Sequence, residues 1–131
     1  MTVSNIKATI PSDIHKVWEV ITAVENYSLW RSDLSKCERL DEKHFVEYTK
    51  DGYATNFAIT LTELYKRWEF DMDNSNMSGH WTGIFTSMGS NTTVEFIEEV
   101  SAKKVLMKPF VKGYLKKQQA LFIEDLKKVL G

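Results

Sequence analysis

Glu98 is the charged side chain of this sequence that is best placed to do chemistry. It lies in the run NTTVEFIEEV, in which Val94 and Phe96 alternate with polar residues. The same alternation puts Glu98 on the apolar side of a strand, where a carboxylate is costly to ionise unless it is paired or hydrogen-bonded. Glu98 could reach solvent at the strand end, form a pair with Arg31 or a helix lysine, or bind a ligand and transfer a proton.

Two side chains near the C-terminus could orient a bound molecule. Tyr114 could donate its phenolic hydroxyl, although it could instead belong to a packed core. Gln118 lies on the buried edge of the predicted last helix. A buried amide must find hydrogen-bond partners, and a ligand carbonyl could be one of them.

Other kinds of chemistry have little support in the spacing of the residues. His15, His44 and His80 are far apart in the chain and have no partner at helical spacing, and Cys37 is the only cysteine. We therefore expect no metal site, no cofactor and no disulfide. Neither a serine–histidine–acid arrangement nor a phosphate-binding glycine loop is recognisable, so catalytic residues cannot be assigned.

These residues must be positioned by a strand-rich chain with helices near both ends. Residues 2–10 alternate as a strand that Pro11 ends, and Ser12 is the expected N-cap of a first helix. Residues 26–31 predict a short second helix or turn. From Leu34 to Val100, apolar residues recur at every second position. This alternation predicts six further strands joined as antiparallel hairpins.

The last part of the chain returns to a helical period. After Ala102 the apolar residues predict a helix of about twenty residues, with Pro109 in its first turn or at a kink. A seven-stranded antiparallel sheet twists and curls, so its apolar concave face needs a cover. The last helix is the obvious cover.

Composition restricts the classes of function. The chain of 131 residues, 43% hydrophobic, predicts a single domain over residues 1–131. Eighteen acidic against seventeen basic residues argue against a general nucleic-acid binder. No signal peptide or membrane span is recognisable, so we expect a cytoplasmic protein, either monomer or homodimer.

Residues 103–131 contain eight lysines and two acidic residues. Such an excess of lysine is typical of a solvated helix face or of a surface for anionic lipid head groups.

The sequence resembles the SRPBCC (START-like) superfamily in four stretches, which are IPSDIHKVWEVITAVENYSLWRSDLSKCERL, GHWTGIF, NTTVEFIEEV and YLKKQQALFIEDLKKVL. This superfamily includes START-related lipid carriers, birch-pollen-allergen-like proteins and polyketide cyclase/dehydrase relatives. The resemblance implies an α+β helix-grip fold, with the curved sheet wrapped around the C-terminal helix and two short helices between strands 1 and 2. It also implies a deep cavity for a lipid, sterol, polyketide or other hydrophobic ligand.

Strand alternation indicates which side chains would line such a cavity. On the strand over residues 53–62, the inward phase is predicted to be Phe57, Ile59 and Leu61. In the run WTGIF, a glycine between two aromatic residues leaves a gap that is either packing relief or room for a ligand. The alternative is a solid aromatic core. The full set of candidate ligand-binding residues is Trp30, Phe57, Ile59, Trp68, Phe70, Trp81, Gly83, Phe85, Phe96, Glu98, Tyr114, Gln118 and Phe122.

Three functional interpretations follow from the resemblance. The first is a binding or carrier protein for a small hydrophobic molecule such as a lipid, polyketide or aromatic compound. The second is an enzyme resembling polyketide cyclases or dehydratases, which would hold a reactive chain and move a proton inside the same cavity. The third resembles the chaperone-activator branch of the fold, which would bind a protein through an exposed apolar patch.

Overall fold

Seven antiparallel strands form one sheet in a computed structural model that describes residues 1–131. The strands are β1 (Thr2–Ile10), β2 (Leu34–Arg39), β3 (His44–Thr49), β4 (Ala54–Glu63), β5 (Arg67–Asp73), β6 (Met77–Met88) and β7 (Asn91–Ala102). The helices are α1 (Ile14–Thr22), α2 (Tyr27–Trp30) and α3 (Val111–Leu130), with short 3-10 turns at Val24–Asn26 and Val105–Phe110. The predicted α+β helix-grip architecture is therefore confirmed.

The sheet is an antiparallel meander, and the first strand is added at one of its edges. Strands β2 to β7 follow one another in order, and β1 pairs with β7, from Thr2 opposite Val100 to Ile10 opposite Thr92. Gly52 and Gly89 have positive φ angles of 87° and 75° at hairpin turns, a conformation that glycine adopts without steric cost. The alternating pattern of the sequence and the tight turns together explain this topology.

The start of α1 differs from the prediction. Asp13, and not Ser12, is the N-cap, because its carboxylate accepts hydrogen bonds from the backbone N–H groups of His15 at 2.9 Å and Lys16 at 3.3 Å. Ser12 is instead buried, and its carbonyl accepts a hydrogen bond from the Thr92 hydroxyl at 2.8 Å. Both residue types are good caps, so residue preference alone does not choose between them.

A β-bulge in β4 changes the predicted face of Leu61. Ile59 pairs with Phe70, but Leu61 pairs with Glu69, so Thr60 is an extra residue in the ladder. Beyond a bulge, the alternation of faces is reversed. Leu61 therefore lies on the outer face and is 37% exposed, and the prediction that it points inward is wrong.

The inner face of the sheet is divided between two helices. Helix α1 covers one part, where Trp18 packs against Phe85 of β6 with ring centroids 4.9 Å apart. Helix α3 crosses the other part and is fixed to β1 by hydrogen bonds between Gln119 and Ser4. None of the helices is long and apolar enough to cross a lipid bilayer.

Candidate functional site

A cavity of about 300 Å³ lies between the inner face of the sheet and the N-terminal half of α3. Its wall is made of side chains from six strands, from α2 and α3, and from the connections between these elements. The residues with an aromatic ring are Tyr27, Tyr53, Phe57, Phe70, Trp81, Phe96, Tyr114 and Phe122. The other polar or charged ones are Arg31, Asp33, Glu47, Thr49, Thr55, Asn74, Glu98, Gln118 and Gln119, and the aliphatic or thioether ones are Leu34, Met72, Met77 and Leu115.

The aromatic wall is a continuous stack across three strands and α3. The rings of Phe70 and Trp81 are parallel, with centroids 4.8 Å apart, and Trp81 contacts Phe96 at 4.9 Å. Phe96 in turn meets Phe122 of α3 edge-on at 5.4 Å. Because each ring is held by the next, this wall is a rigid apolar surface against which a flat molecule can pack.

An arginine with two acidic partners forms the charged end of the cavity. Arg31 donates to Glu47 through Nη1 at 2.9 Å and to Asp33 through Nη2 at 2.9 Å. Its guanidinium also lies 5.2 Å from the ring of Tyr27 and 5.1 Å from that of Phe122. Burial disfavours the charge of Arg31, but Glu47 and Asp33 outweigh it and keep its pKa above the usual value. The guanidinium is thus held by charge and by aromatic faces.

Glu98 lies in the cavity without a partner. It makes no ion pair and no hydrogen bond with another side chain, although Arg31 lies in the same cavity. Burial raises the pKa of Glu98 to about 7, and the negative charge of Glu47 adds to this effect, while Arg31 opposes it. At neutral pH the Glu98 carboxyl can therefore either donate or accept a hydrogen bond.

Two neighbouring glutamines of α3 differ in their hydrogen bonding. Gln119 accepts from the Ser4 hydroxyl at 2.9 Å and donates to the carbonyls of Ser4 at 3.0 Å and Phe96 at 3.3 Å. Gln118 lines the cavity, and its side-chain amide has no hydrogen bond within the chain. Gln119 is therefore a structural residue, whereas the amide of Gln118 is available to a ligand.

The chain matches one protein family over its whole length. A family described as "Polyketide cyclase / dehydrase and lipid transport" matches residues 1–131. The chain belongs to this family. Among curated protein sequences, none matches significantly.

Several solved structures have the same fold as this chain. A START superfamily protein from Mycobacterium smegmatis is 10% identical, with 98% of this chain and 96% of that chain covered and a TM-score of 0.90. The Zhui aromatase/cyclase from Streptomyces sp. R1128 is 11% identical, with coverages of 98% and 93% and a TM-score of 0.83. A conserved protein from Geobacillus kaustophilus is 10% identical, with coverages of 98% and 95% and a TM-score of 0.84. Similarity at such low identity shows the shared fold.

In this member of the family, the cavity brings together most of the candidate residues. Those that line it are Phe57, Phe70, Trp81, Phe96, Glu98, Tyr114, Gln118 and Phe122. The remaining candidates, Trp30, Ile59, Trp68, Gly83 and Phe85, lie outside it. They belong to, or pack against, the solid part of the core.

Two of these outlying candidates are covered by other rings. Trp68 is 2% exposed and is enclosed by Phe45, Phe70 and Trp81. Phe85 packs against Trp18 of α1. Strand alternation correctly predicted that both face inward, but it could not show that neighbouring rings cover Trp68 and that α1 covers Phe85.

The other three are outside the cavity for different reasons. The gap at Gly83 is filled by the indole ring of Trp81, since a Cβ at this position would lie 2.6 Å from the Cη2 atom of that ring. Ile59 packs against the core beside the β4 bulge. Trp30 packs edge-on against Tyr27 and Phe122, at 5.5 and 5.3 Å, behind the cavity wall, and its buried indole N–H has no hydrogen-bond partner.

Sequence reasoning missed several polar residues of the site. Glu47 could have been found, because the alternation that buries Phe45 also places Glu47 on the inner face of β3. Asp33 could not, because it lies in the connection between α2 and β2, where no periodic pattern exists. Arg31 was considered as a partner of Glu98, but it pairs with Asp33 and Glu47. No group of three or more histidine, cysteine, aspartate or glutamate side chains is positioned to hold a metal ion.

Proposed function

We propose that this protein binds a small, mostly apolar molecule in the cavity and holds the polar group of that molecule at Glu98 and Gln118. The observation that carries the proposal is the combination, in one cavity of about 300 Å³, of an aromatic wall with two polar side chains that have no partner in the protein. Contact with the rings would supply affinity, and the two polar groups would fix orientation.

The family and fold support the same interpretation. The family description combines polyketide cyclase or dehydrase activity with lipid transport, and Zhui is an aromatase/cyclase. A lipid, polyketide or aromatic compound is therefore the expected kind of ligand. A cytoplasmic location, the lack of a nucleic-acid partner and a monomeric or homodimeric state stay predictions.

Native mass spectrometry of the freshly purified protein tests the proposal, followed by extraction and identification of any small molecule that leaves with it. In parallel, uptake of an apolar fluorophore is compared between the wild type and Gln118→Trp, which adds a bulky ring inside the cavity. Lys117→Trp, on the exposed side of the same helix, is the matched control. Uptake that is lost in Gln118→Trp alone supports the proposal, and an empty protein that takes up no fluorophore contradicts it.

A second candidate function is catalysis of proton transfer on the bound molecule. The observation that favours it is the isolated Glu98 carboxyl, whose pKa of about 7 suits a general acid or base near neutral pH. Glu98→Gln is then expected to abolish turnover of a polyketide-like substrate while binding persists, measured by product formation and by fluorescence titration. Parallel loss of binding and turnover would contradict a proton-transfer role.

A further inference from the structure

The charged side chains of the cavity have an excess of negative charge. Those that line it are Arg31, Asp33, Glu47 and Glu98. None of the eight lysines in residues 103–131 lines it, although α3 forms one of its walls. Because Arg31 is already paired with both Asp33 and Glu47, the cavity contains no free cation that could receive an anionic group.

The immediate neighbours of Glu98 offer it no partner either. In the sheet, Glu98 lies directly opposite Trp81 on β6 and Ser4 on β1. The Ser4 hydroxyl already donates to Gln119, and Trp81 presents a ring. The other titratable groups that line the cavity are Tyr27, Arg31, Asp33, Glu47, Tyr53 and Tyr114. Of these, only Arg31 is cationic, and its guanidinium is already paired with Asp33 and Glu47.

The aromatic wall is suited to a positive charge. Arg31 itself lies over the rings of Tyr27 and Phe122, at 5.2 and 5.1 Å, so part of this wall already holds a cation. Trp81 lies opposite Glu98 in the sheet, and its ring is packed against Phe70 and Phe96. An ammonium group in the cavity beside Glu98 would meet the carboxylate, while the apolar body of the same molecule would pack against the aromatic wall.

We propose that the ligand is a small aromatic or apolar amine, bound through its ammonium cation to Glu98, with its apolar body against the aromatic wall of the cavity. This inference rests on the proposed function, because it names the chemical class of the molecule in the same cavity. A carboxylate ligand would add a further negative charge beside Glu47 and Glu98, at a desolvation cost that no free cation offsets. A neutral ligand would leave Glu98 unpaired whenever it is ionised.

Binding of such a cation must be linked to the ionisation of Glu98. The ammonium group binds the ionised carboxylate, which in the free protein forms as the pH rises through about 7. The affinity for the amine should therefore rise by about tenfold between about pH 6 and pH 8. A neutral analogue should show no such rise, because it gains nothing from the ionised carboxylate.

The test compares three probes with the same naphthalene body, namely naphthylmethylamine, naphthylmethanol and naphthoate, titrated into the full-length protein by calorimetry. At about pH 8 the amine is expected to bind at least ~10-fold more tightly than the alcohol, and the carboxylate least tightly. Glu98→Gln should remove both the preference and its pH dependence. Glu99→Gln removes a like charge from the exposed outer face of β7 and should change neither.

The outcomes separate this inference from the function on which it rests. If the alcohol or the carboxylate binds as tightly as the amine, the cavity binds ligands but the amine class is overturned. If no probe binds the wild type, the proposed function fails and the amine class fails with it. The pH series on the wild type needs no variant, so a Glu98→Gln protein that does not fold leaves the test intact.

Discussion

The indole ring of Trp81 lies directly above Gly83, two residues further along the same strand. A Cβ at position 83 would be 2.6 Å from Cη2 and 2.7 Å from Cζ3 of that ring. The missing side chain of Gly83 leaves the space that this ring occupies, and there the ring stacks on Phe70 and forms part of the cavity wall. Gly83 shapes the site through Trp81 without lining the cavity.

Gly83→Ala should destabilise the protein and change the cavity. The new methyl group must displace an indole that is packed between Phe70 and Phe96, which should cost about 1–3 kcal/mol of unfolding free energy. Urea unfolding measures the loss, and tryptophan fluorescence reports the movement of the ring. Gly113→Ala is the control, since a Cβ there meets no atom within 4 Å, and it should be neutral or stabilising. Equal stability of Gly83→Ala and the wild type would contradict this account.

Ionisation of Glu98 should weaken the fold. Its pKa is raised from 4.5 to about 7 in the folded state, so its full contribution is present below pH 4.5 and is lost as the pH rises through 7. The loss should be on the order of 3 kcal/mol in the absence of ligand. Thermal unfolding across this range should therefore show a decline that Glu98→Gln lacks. Identical pH profiles for the two proteins would show that Glu98 is not desolvated.

Removal of Arg31 should be strongly destabilising. Arg31→Met leaves Asp33 and Glu47 as unpaired, largely buried carboxylates, a change that costs about 3–5 kcal/mol in comparable sites. Denaturant unfolding measures it. Arg39→Met, which breaks a more exposed pair with Glu25, should cost less than about 1 kcal/mol. The pairing account predicts that adding Glu47→Gln to Arg31→Met restores part of the loss, and a double variant as unstable as the single one would refute it.

The two adjacent glutamines of α3 should respond oppositely to the same substitution. Gln119→Leu removes the hydrogen bonds to Ser4 and Phe96 and leaves buried polar atoms unpaired, which should cost about 1–3 kcal/mol of stability. Gln118→Leu should leave stability nearly unchanged but alter ligand binding. Chemical denaturation and probe titration of both variants distinguish these roles. Comparable stability losses would mean that Gln118 also supports the fold.

His80 on the outer face should give a separate pH dependence. Its partial burial disfavours the imidazolium, but hydrogen bonds to Asp71 at 2.7 Å and Glu69 at 2.6 Å outweigh this and raise its pKa above 6.5. The stabilisation is full below pH 6.5 and is lost as the pH rises through the raised pKa. An NMR titration of the histidine ring protons should show a midpoint above 6.5, and His80→Gln should lose the stabilisation at low pH. A midpoint at or below 6.5 would contradict the role of the two carboxylates.

The sequence patterns predicted the order of the strands and helices. They did not predict which part of the inner face of the sheet is covered by α1 and which part by α3. Periods of two and 3.6 locate strands and helices because burial of one face enforces them. The bulge at Thr60 escaped prediction because one extra residue leaves no mark on the composition of β4.

The site was predictable where strands supply it. Glu98 and Phe96 could be placed from the alternation on β7, and Glu47 follows from the same rule on β3. The position of Asp33 depends on the connection between α2 and β2, and the covering of Phe85 depends on how α1 packs on the sheet. Strand alternation predicts neither of them. The ring of Trp81 over Gly83 depends on a side-chain rotamer, which is settled only by the packed neighbours.

The hydrogen bonds between Ser4 and Gln119 join residues 115 positions apart in the chain. The strand that bears Ser4 also needs β7 as its partner, so β1 has no partner strand until β7 has been synthesised. Contacts of such long sequence separation form slowly, because the loop must close before they add stability. The cavity is complete only when α3 is packed against the sheet. A nascent chain that lacks α3 would expose the aromatic wall to solvent, where it would be open to aggregation.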